Sequence, residues 1–183
     1  IVGAGPVGRH TAQLLAERGD EVVVVTRSGR GPELDGVRRV AADACDADAL
    51  TGLTAGARAL FNCANPADYT TWDQVWPPLA DSLLQAAERT GATLVTASSL
   101  YGYGPVDSPM LEGQPDRATD HKGRLRAGMW AQARARHEAG RLHAVEVRGS
   151  DYVGEGVGAN GHVPRQVPGA LAGRAAWMIG RTD

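Results

Sequence analysis

Three glycines and one pair of cations are the first residues in this sequence whose types and spacing could do chemistry. In "IVGAGPVGRH" the pattern GxGxxG falls on Gly3, Gly5 and Gly8, behind an apolar pair and ahead of a helix-length stretch. Such a turn suits a dinucleotide pyrophosphate. Gly3 permits the tight turn, Gly5 lets the backbone come close to the phosphates, and Gly8 lets the helix lie against the strand. Pro6 and Val7 start that helix, whose unpaired amides then face the anion. A glycine turn with a purely structural task fits the same letters. The next strand ends in "VVTRSGR", with Arg27, Ser28 and Arg30 and no acid. An acid there would bond ribose hydroxyls, whereas a cation accommodates a 2'-phosphate, so NADP is expected in preference to NAD. The competing reading of Arg27 is a solvated loop cation.

The cations are Lys122 and Arg126 in "DHKGRLRAG", one helical turn apart and therefore on one face. Lys122 is the only lysine among 19 basic residues. Ser98 and Ser99 close an apolar run, with Tyr101 and Tyr103 just beyond. The carboxyl end of a strand is where a doubly wound sheet binds its ligand, although two serines also satisfy a strand end.

Positioning these residues requires a sheet. Apolar runs of strand length alternate with amphipathic stretches, the pattern of an α/β fold with a doubly wound parallel sheet. Strands are expected near 1–2, 21–26, 37–41, 59–63, 92–97 and 142–148. Helices are expected over 6–19 and 81–91, each closing on a glycine, and from 122 to 140. On the last of these Leu125, Met129 and Ala133 share one side, with arginines over much of the other. Residues 99–119, rich in Gly, Pro and Asp, read as a long functional loop.

Composition excludes some classes of partner. A net charge of -2 over 183 residues gathers neither nucleic acid nor anionic lipid, which leaves a small molecule as the expected ligand. The run "VVVV" at 22–25 is far short of a membrane span, and no charged leader precedes it. Cys45 and Cys63 belong to no metal-type cluster, and a reducing cytoplasm is the simplest setting. The chain opens on Ile1 inside a strand and stops at "WMIGRTD" soon after a new apolar segment begins, so an incomplete polypeptide is expected.

With "GAGPVG", "AADACD", "NCANP", "SSLYGYGP" and "VRGSDYVGEG" in this order over nearly its whole length, the chain resembles the extended short-chain dehydrogenase/reductase family, the NAD-dependent epimerase/dehydratase group. The resemblance implies a Rossmann-type domain over 1–155 and the start of a substrate-binding lobe over 156–183, with a short helix near 165–173 and a strand near 176–179. It implies that Asp43, after the third strand, contacts adenine, against a plainer role as a turn or cap residue. It implies that Cys63 and Ala64 line the cofactor, as does Ala97. Ser99 falls in the slot of the family's catalytic serine or threonine, four residues before the tyrosine of a YG pair, if Tyr103 and Gly104 are that pair. Taking Tyr101 and Gly102 instead would put Ala97 there, which has no hydroxyl to donate.

The family's YxxxK motif is where the sequence departs. Lys122, 23 residues beyond Ser99 (122 minus 99), stands in the place of the tyrosine, and Arg126 in the place of the lysine. The resemblance is thus to an atypical branch lacking the standard tyrosine. Three readings stay open: a catalytic Lys122, a pair that holds cofactor phosphate, ribose or an anionic substrate group, and an exposed face without a task. Tyr101 or Tyr103 could take the missing place, or simply pack in a loop. Arg148 and Tyr152 lead toward the substrate region, with a strand-end cation and a packed ring as alternatives. The function implied is an NAD(P)-dependent oxidoreductase or epimerase acting on a sugar-nucleotide-like or other hydroxyl/carbonyl substrate, with pairing of the long helices into a homodimer. The rival is a non-catalytic NADP-binding sensor or regulatory module.

Overall fold

The computed structural model describes residues 1–31, 33–66, 68–158 and 161–175. Its strands are β1 (Val22–Thr26), β2 (Val37–Ala41), β3 (Ala59–Asn62), β4 (Thr93–Ser99) and β5 (Ala144–Gly149). Its helices are α1 (Pro6–Glu17), α2 (Ala47–Thr54), α3 (Trp72–Thr90), α4 (His121–Glu138) and α5 (His162–Leu171). Single 3-10 turns cover Tyr69–Thr71 and Leu100–Tyr103.

All strand pairings are parallel, β1 with β2 and β3–β4–β5 in a row. The opening segment joins them. Val2 bridges both Val25 and Asn62, and the amides of Val25 and Cys63 donate to the carbonyls of Ile1 and Val2 at 2.8 and 2.9 Å. Counted as a first strand, this segment makes the order 3-2-1-4-5-6, the doubly wound arrangement of Rossmann folds. The order reverses between the opening segment and β3. Open sheets of this kind bind their ligands at such a switch point, beyond the carboxyl ends of the strands.

Two cores flank the sheet. Ala12 of α1 packs with Val22 and Val24 on one face. On the other, Val25, Leu60 and Leu94 meet Trp76, Leu83 and Leu84 of α3. Each such side chain taken fully from water contributes roughly 1.5–3 kcal/mol.

Most expected elements are present, with informative shifts. α3 starts at Trp72, well before the expected residue 81, and carries Pro77 and Pro78 inside it. Burial of Trp72 and Trp76 offsets the hydrogen bonds those prolines forfeit. α2 forms where no helix was expected, because Asp46 accepts hydrogen bonds from the amides of Asp48 and Ala49, both at 3.0 Å. The loop over 99–119 begins as strand and 3-10 turn.

The chain divides into two compact units, Ile1–Gly149 and Ser150–Asp183. Within the second, α5 starts three residues earlier than the expected 165, behind Gly161 as its N-cap. The strand expected near 176–179 lies outside the described residues.

Candidate functional site

The glycine turn at the switch point divides its three glycines by what surrounds them. Gly3 has a φ of +98°, and a Cβ there would stand 2.7 Å from the amide nitrogen of Ala64. A Cβ on Gly8 would overlap the carbonyl oxygen of Gly3 outright. Both positions are closed to any side chain. Around Gly5, by contrast, nothing lies within 4 Å of an added Cβ. Gly5 is also the N-cap of α1, no side chain caps that helix, and Pro6 occupies its first turn. The amides of Val7 and Gly8, in the first turn of α1, have no intrahelical acceptor, and the residues present fit a diphosphate. Cys63 and Ala64 lie directly against Gly3, and the Cys63 side chain borders Gly8 as well. Burial pushes the Cys63 thiol up, against a hydrogen bond with Thr11 that lowers it.

Beside this turn, β1 ends in a loop tied by the Thr26 hydroxyl, which donates to the Arg30 carbonyl at 2.8 Å. Arg27, Ser28 and Arg30 are exposed there. Asp43 is exposed after β2, and its carboxylate accepts from the Cys45 amide at 2.9 Å, which is turn chemistry.

At the end of β4, alternate side chains serve opposite faces. Ser98 turns to the α3–α4 side, where its hydroxyl accepts from the Arg126 guanidinium at 3.1 Å; the Ala97 carbonyl accepts from the same nitrogen at 3.4 Å. Arg126 is 6% exposed and lies 4.4 Å over the Trp76 ring. Arg126 is thus turned to the interior, an exception among the α4 arginines, of which Arg124 and Arg134 are exposed. A π face and two oxygens make burial of its charge tolerable. Arg126 borders a cavity of about 30 Å³ together with Asn62, Thr96, Ser98 and Glu146, room for one or two waters. The Oγ of Ser99 is buried and has no hydrogen-bond partner among the described residues.

Beyond Ser99, the 3-10 turn is strapped down from both sides. Tyr103 is 9% exposed beneath Arg148, whose guanidinium lies 4.5 Å from the ring centre. Arg148 donates twice to Asp116, at 2.7 and 3.2 Å, and once to Glu146 at 2.6 Å. Burial opposes its charge, but the hydrogen bonds to Asp116 and Glu146 prevail and raise its pKa. The amides of Arg117 and Ala118 both donate to the Gly102 carbonyl, which holds the loop against the strand end.

Lys122 is the second residue of α4, behind the N-cap Asp120, whose carboxylate accepts from the Gly123 amide at 2.8 Å. Its side chain is exposed, with Nζ 4.5 Å over the Tyr69 ring. Tyr69 in turn stacks on Trp72 at 4.6 Å, and Trp72 on Tyr101 at 6.4 Å. Asp68 caps the turn that carries Tyr69, and hydrogen bonds from the Thr70 hydroxyl and amide hold its carboxyl below the usual range. Each of the two cations therefore rests on an aromatic ring from the start of the α3 region, Lys122 at the surface and Arg126 inside.

Sequence reasoning singled out neither Tyr69, Trp72 and Trp76 nor Asp116 and Glu146. The stretch "YTTWDQVW" carried a signal for the first three, since positions 69, 72 and 76 share one helical face. Tyr152 lies in the second unit, half-exposed. Among the described residues no group of His, Cys, Asp and Glu could hold a metal, and no helix is long and apolar enough to cross a membrane.

A family model described as "NAD dependent epimerase/dehydratase family" matches residues 1–178. Solved structures share the fold. A double mutant of the dTDP-glucose 4,6-dehydratase DesIV from Streptomyces venezuelae with NAD bound is 25% identical, with a TM-score of 0.78 over 98% of this chain and 64% of that one. A UDP-galactose 4-epimerase is 26% identical, with a TM-score of 0.75 over 93% and 62%. MoeE5 in complex with UDP-glucose and NAD is 21% identical, with a TM-score of 0.78 over 98% and 63%. The chain thus spans less than two thirds of the length of these structures. No curated protein sequence matches it.

Proposed function

The chain belongs to the NAD dependent epimerase/dehydratase family, and on that premise we propose that it binds a nicotinamide dinucleotide at the switch point and moves hydride to or from a nucleotide-linked sugar. The observation that carries this reading is the contrast at the glycine turn, where Gly3 and Gly8 are closed to a Cβ and Gly5 faces open space. The amides of Val7 and Gly8 hold the diphosphate, Cys63 and Ala64 wall it in, and Asp43 lies on the adenine side. The nicotinamide supplies or accepts the hydride. Ser99, with a buried hydroxyl lacking a partner among the described residues, orients the reacting substrate oxygen.

The substrate class comes from the solved relatives, since the dehydratase and the epimerase above act on dTDP-glucose and UDP-galactose, as their names state. NADP is the preferred cofactor, because Arg27 and Arg30 stand exposed where an acid would select the ribose diol. Calorimetric titration with both dinucleotides tests the site. NADP is expected to bind at least about tenfold more tightly than NAD, and Arg27→Asp to reverse that order. Absence of binding by either overturns the whole reading, whereas tighter NAD binding overturns the preference alone. A non-catalytic NADP sensor is favoured by one observation, Lys122 in the tyrosine slot. Binding with no change in nicotinamide absorbance across UDP- and dTDP-sugars would establish that reading instead.

A further inference from the structure

The glycine turn and the end of β4 are each held from behind by a buried polar side chain, and the two side chains border one cavity. Asn62, the last residue of β3 and fully buried, accepts a hydrogen bond from the Ala64 amide at 3.2 Å. That amide nitrogen is the atom a Cβ on Gly3 would meet first. Arg126 donates to the Ser98 hydroxyl and the Ala97 carbonyl, one and two residues before Ser99. Asn62, Thr96, Ser98, Arg126 and Glu146 supply polar walls to the cavity of about 30 Å³. A water needs roughly 10–15 Å³ and two to four polar partners, and this cavity offers both.

The residue type at 126 suits an inward task. A buried lysine can shed its proton, whereas a guanidinium keeps its charge and offers five donors in a fixed fork. The charge is balanced where it lies, by the Trp76 face at 4.4 Å and by Glu146, whose buried side chain lines the same cavity. The end of β4 needs such a hold, because its ladder with β5 finishes on the pair Ser99 and Gly149. Drawing Ser98 inward sends Ser99 to the opposite face, and a slip of one residue would exchange them.

We propose that this cavity is a hydrated hub that positions both parts of the site from within: one or two waters join Arg126, which sets Ser99 by way of Ala97 and Ser98, to Asn62, which holds Ala64 against the glycine turn. Arg126 is then a positioning residue and not a cofactor ligand. What the two parts are used for rests on the dinucleotide reading above.

The test takes the full-length, isotope-labelled protein, with the backbone amide shifts of Gly3, Ala64, Ser98 and Ser99 as one readout and calorimetric dinucleotide affinity as the other. Arg126→Met should displace the Ser98 and Ser99 amides and, through the water, that of Ala64, while dinucleotide affinity stays within about threefold. Arg126→Lys keeps the charge and should recover most of the displacement. Ser98→Ala should displace Ser99 with the charge left in place, which covers the case in which Arg126→Met does not fold. Asn62→Leu should displace Gly3 and Ala64 and weaken dinucleotide binding about tenfold. Leu142→Ala, a core truncation just before β5 begins, also lowers stability but should leave all four amides where they are. The proposal is overturned if Ser99 moves no further in Arg126→Met or Ser98→Ala than in Leu142→Ala, or if Ala64 is untouched by every change at Arg126. It is overturned equally if Asn62→Leu leaves Gly3 and Ala64 in place, or if Arg126→Met loses about tenfold or more in dinucleotide affinity, as a cofactor ligand would. A wild type that binds no dinucleotide instead removes the reading of what the two parts do, while the amide shifts still report whether they are held.

Discussion

The glycine turn and the end of β4 both lie at the carboxyl ends of parallel strands but are built in opposite ways. At the turn, the decisive feature is missing atoms: two glycines allow backbone to touch backbone, and a third leaves space. At the end of β4, the decisive feature is side chains brought from afar. Arg126 from α4, Trp76 from α3 and Ser98 from β4 meet on one side, and Arg148, Asp116 and Tyr103 on another. A site made of absences depends on a few adjacent residues. One made of side chains depends on the whole fold, so its damage should register first as lost stability.

The largest expected effect tests that dependence. Arg148→Met leaves the carboxylates of Asp116 and Glu146 without their cation in a largely buried setting, and should destabilise the protein by about 3–5 kcal/mol. Thermal denaturation would show it as a fall in melting temperature of roughly 6 °C or more. A fall under about 2 °C would mean that the loop over 104–119 is held by its backbone alone.

Gly8→Ala comes next. Its Cβ meets a backbone carbonyl that has nowhere to retreat, so a loss of about 3 kcal/mol is expected by the same measurement. Gly5→Val, three residues earlier, should leave the melting temperature nearly unchanged while weakening dinucleotide binding about 100-fold in calorimetry, roughly 2.7 kcal/mol. The pair sharpens the comparison within one turn: the smaller addition harms folding and the larger one harms only the ligand. Gly5→Val binding as wild type does would mean that the open space is not where the diphosphate lies.

The smallest effect is a control. Arg89 pairs with Asp48 at 2.6 Å, both well exposed, and Arg89→Met should change stability by less than about 1 kcal/mol in chemical denaturation. A loss rivalling that of Arg148→Met would erase the distinction between surface pairs and the buried strap.

The sequence by itself determined the parallel α/β architecture, the glycine turn, and the placement of Ser99 at a strand end. These follow from local rules, namely alternation of apolar runs, helix caps, and glycine where no Cβ fits, and each is written within a few consecutive residues. It also displayed Lys122 and Arg126 one turn apart, since identities are read directly. Tertiary structure alone decided what Lys122 and Arg126 rest against. Spacing put them on one helical face but could not say which rings would meet them, because Tyr69 and Trp76 lie some fifty residues earlier in the chain. It likewise decided that an arginine could be buried, since that depends on a π face and two oxygens from other elements converging on one point. Local rules fix the backbone path through a few near neighbours, whereas the partners of a charged side chain are chosen only when distant segments pack.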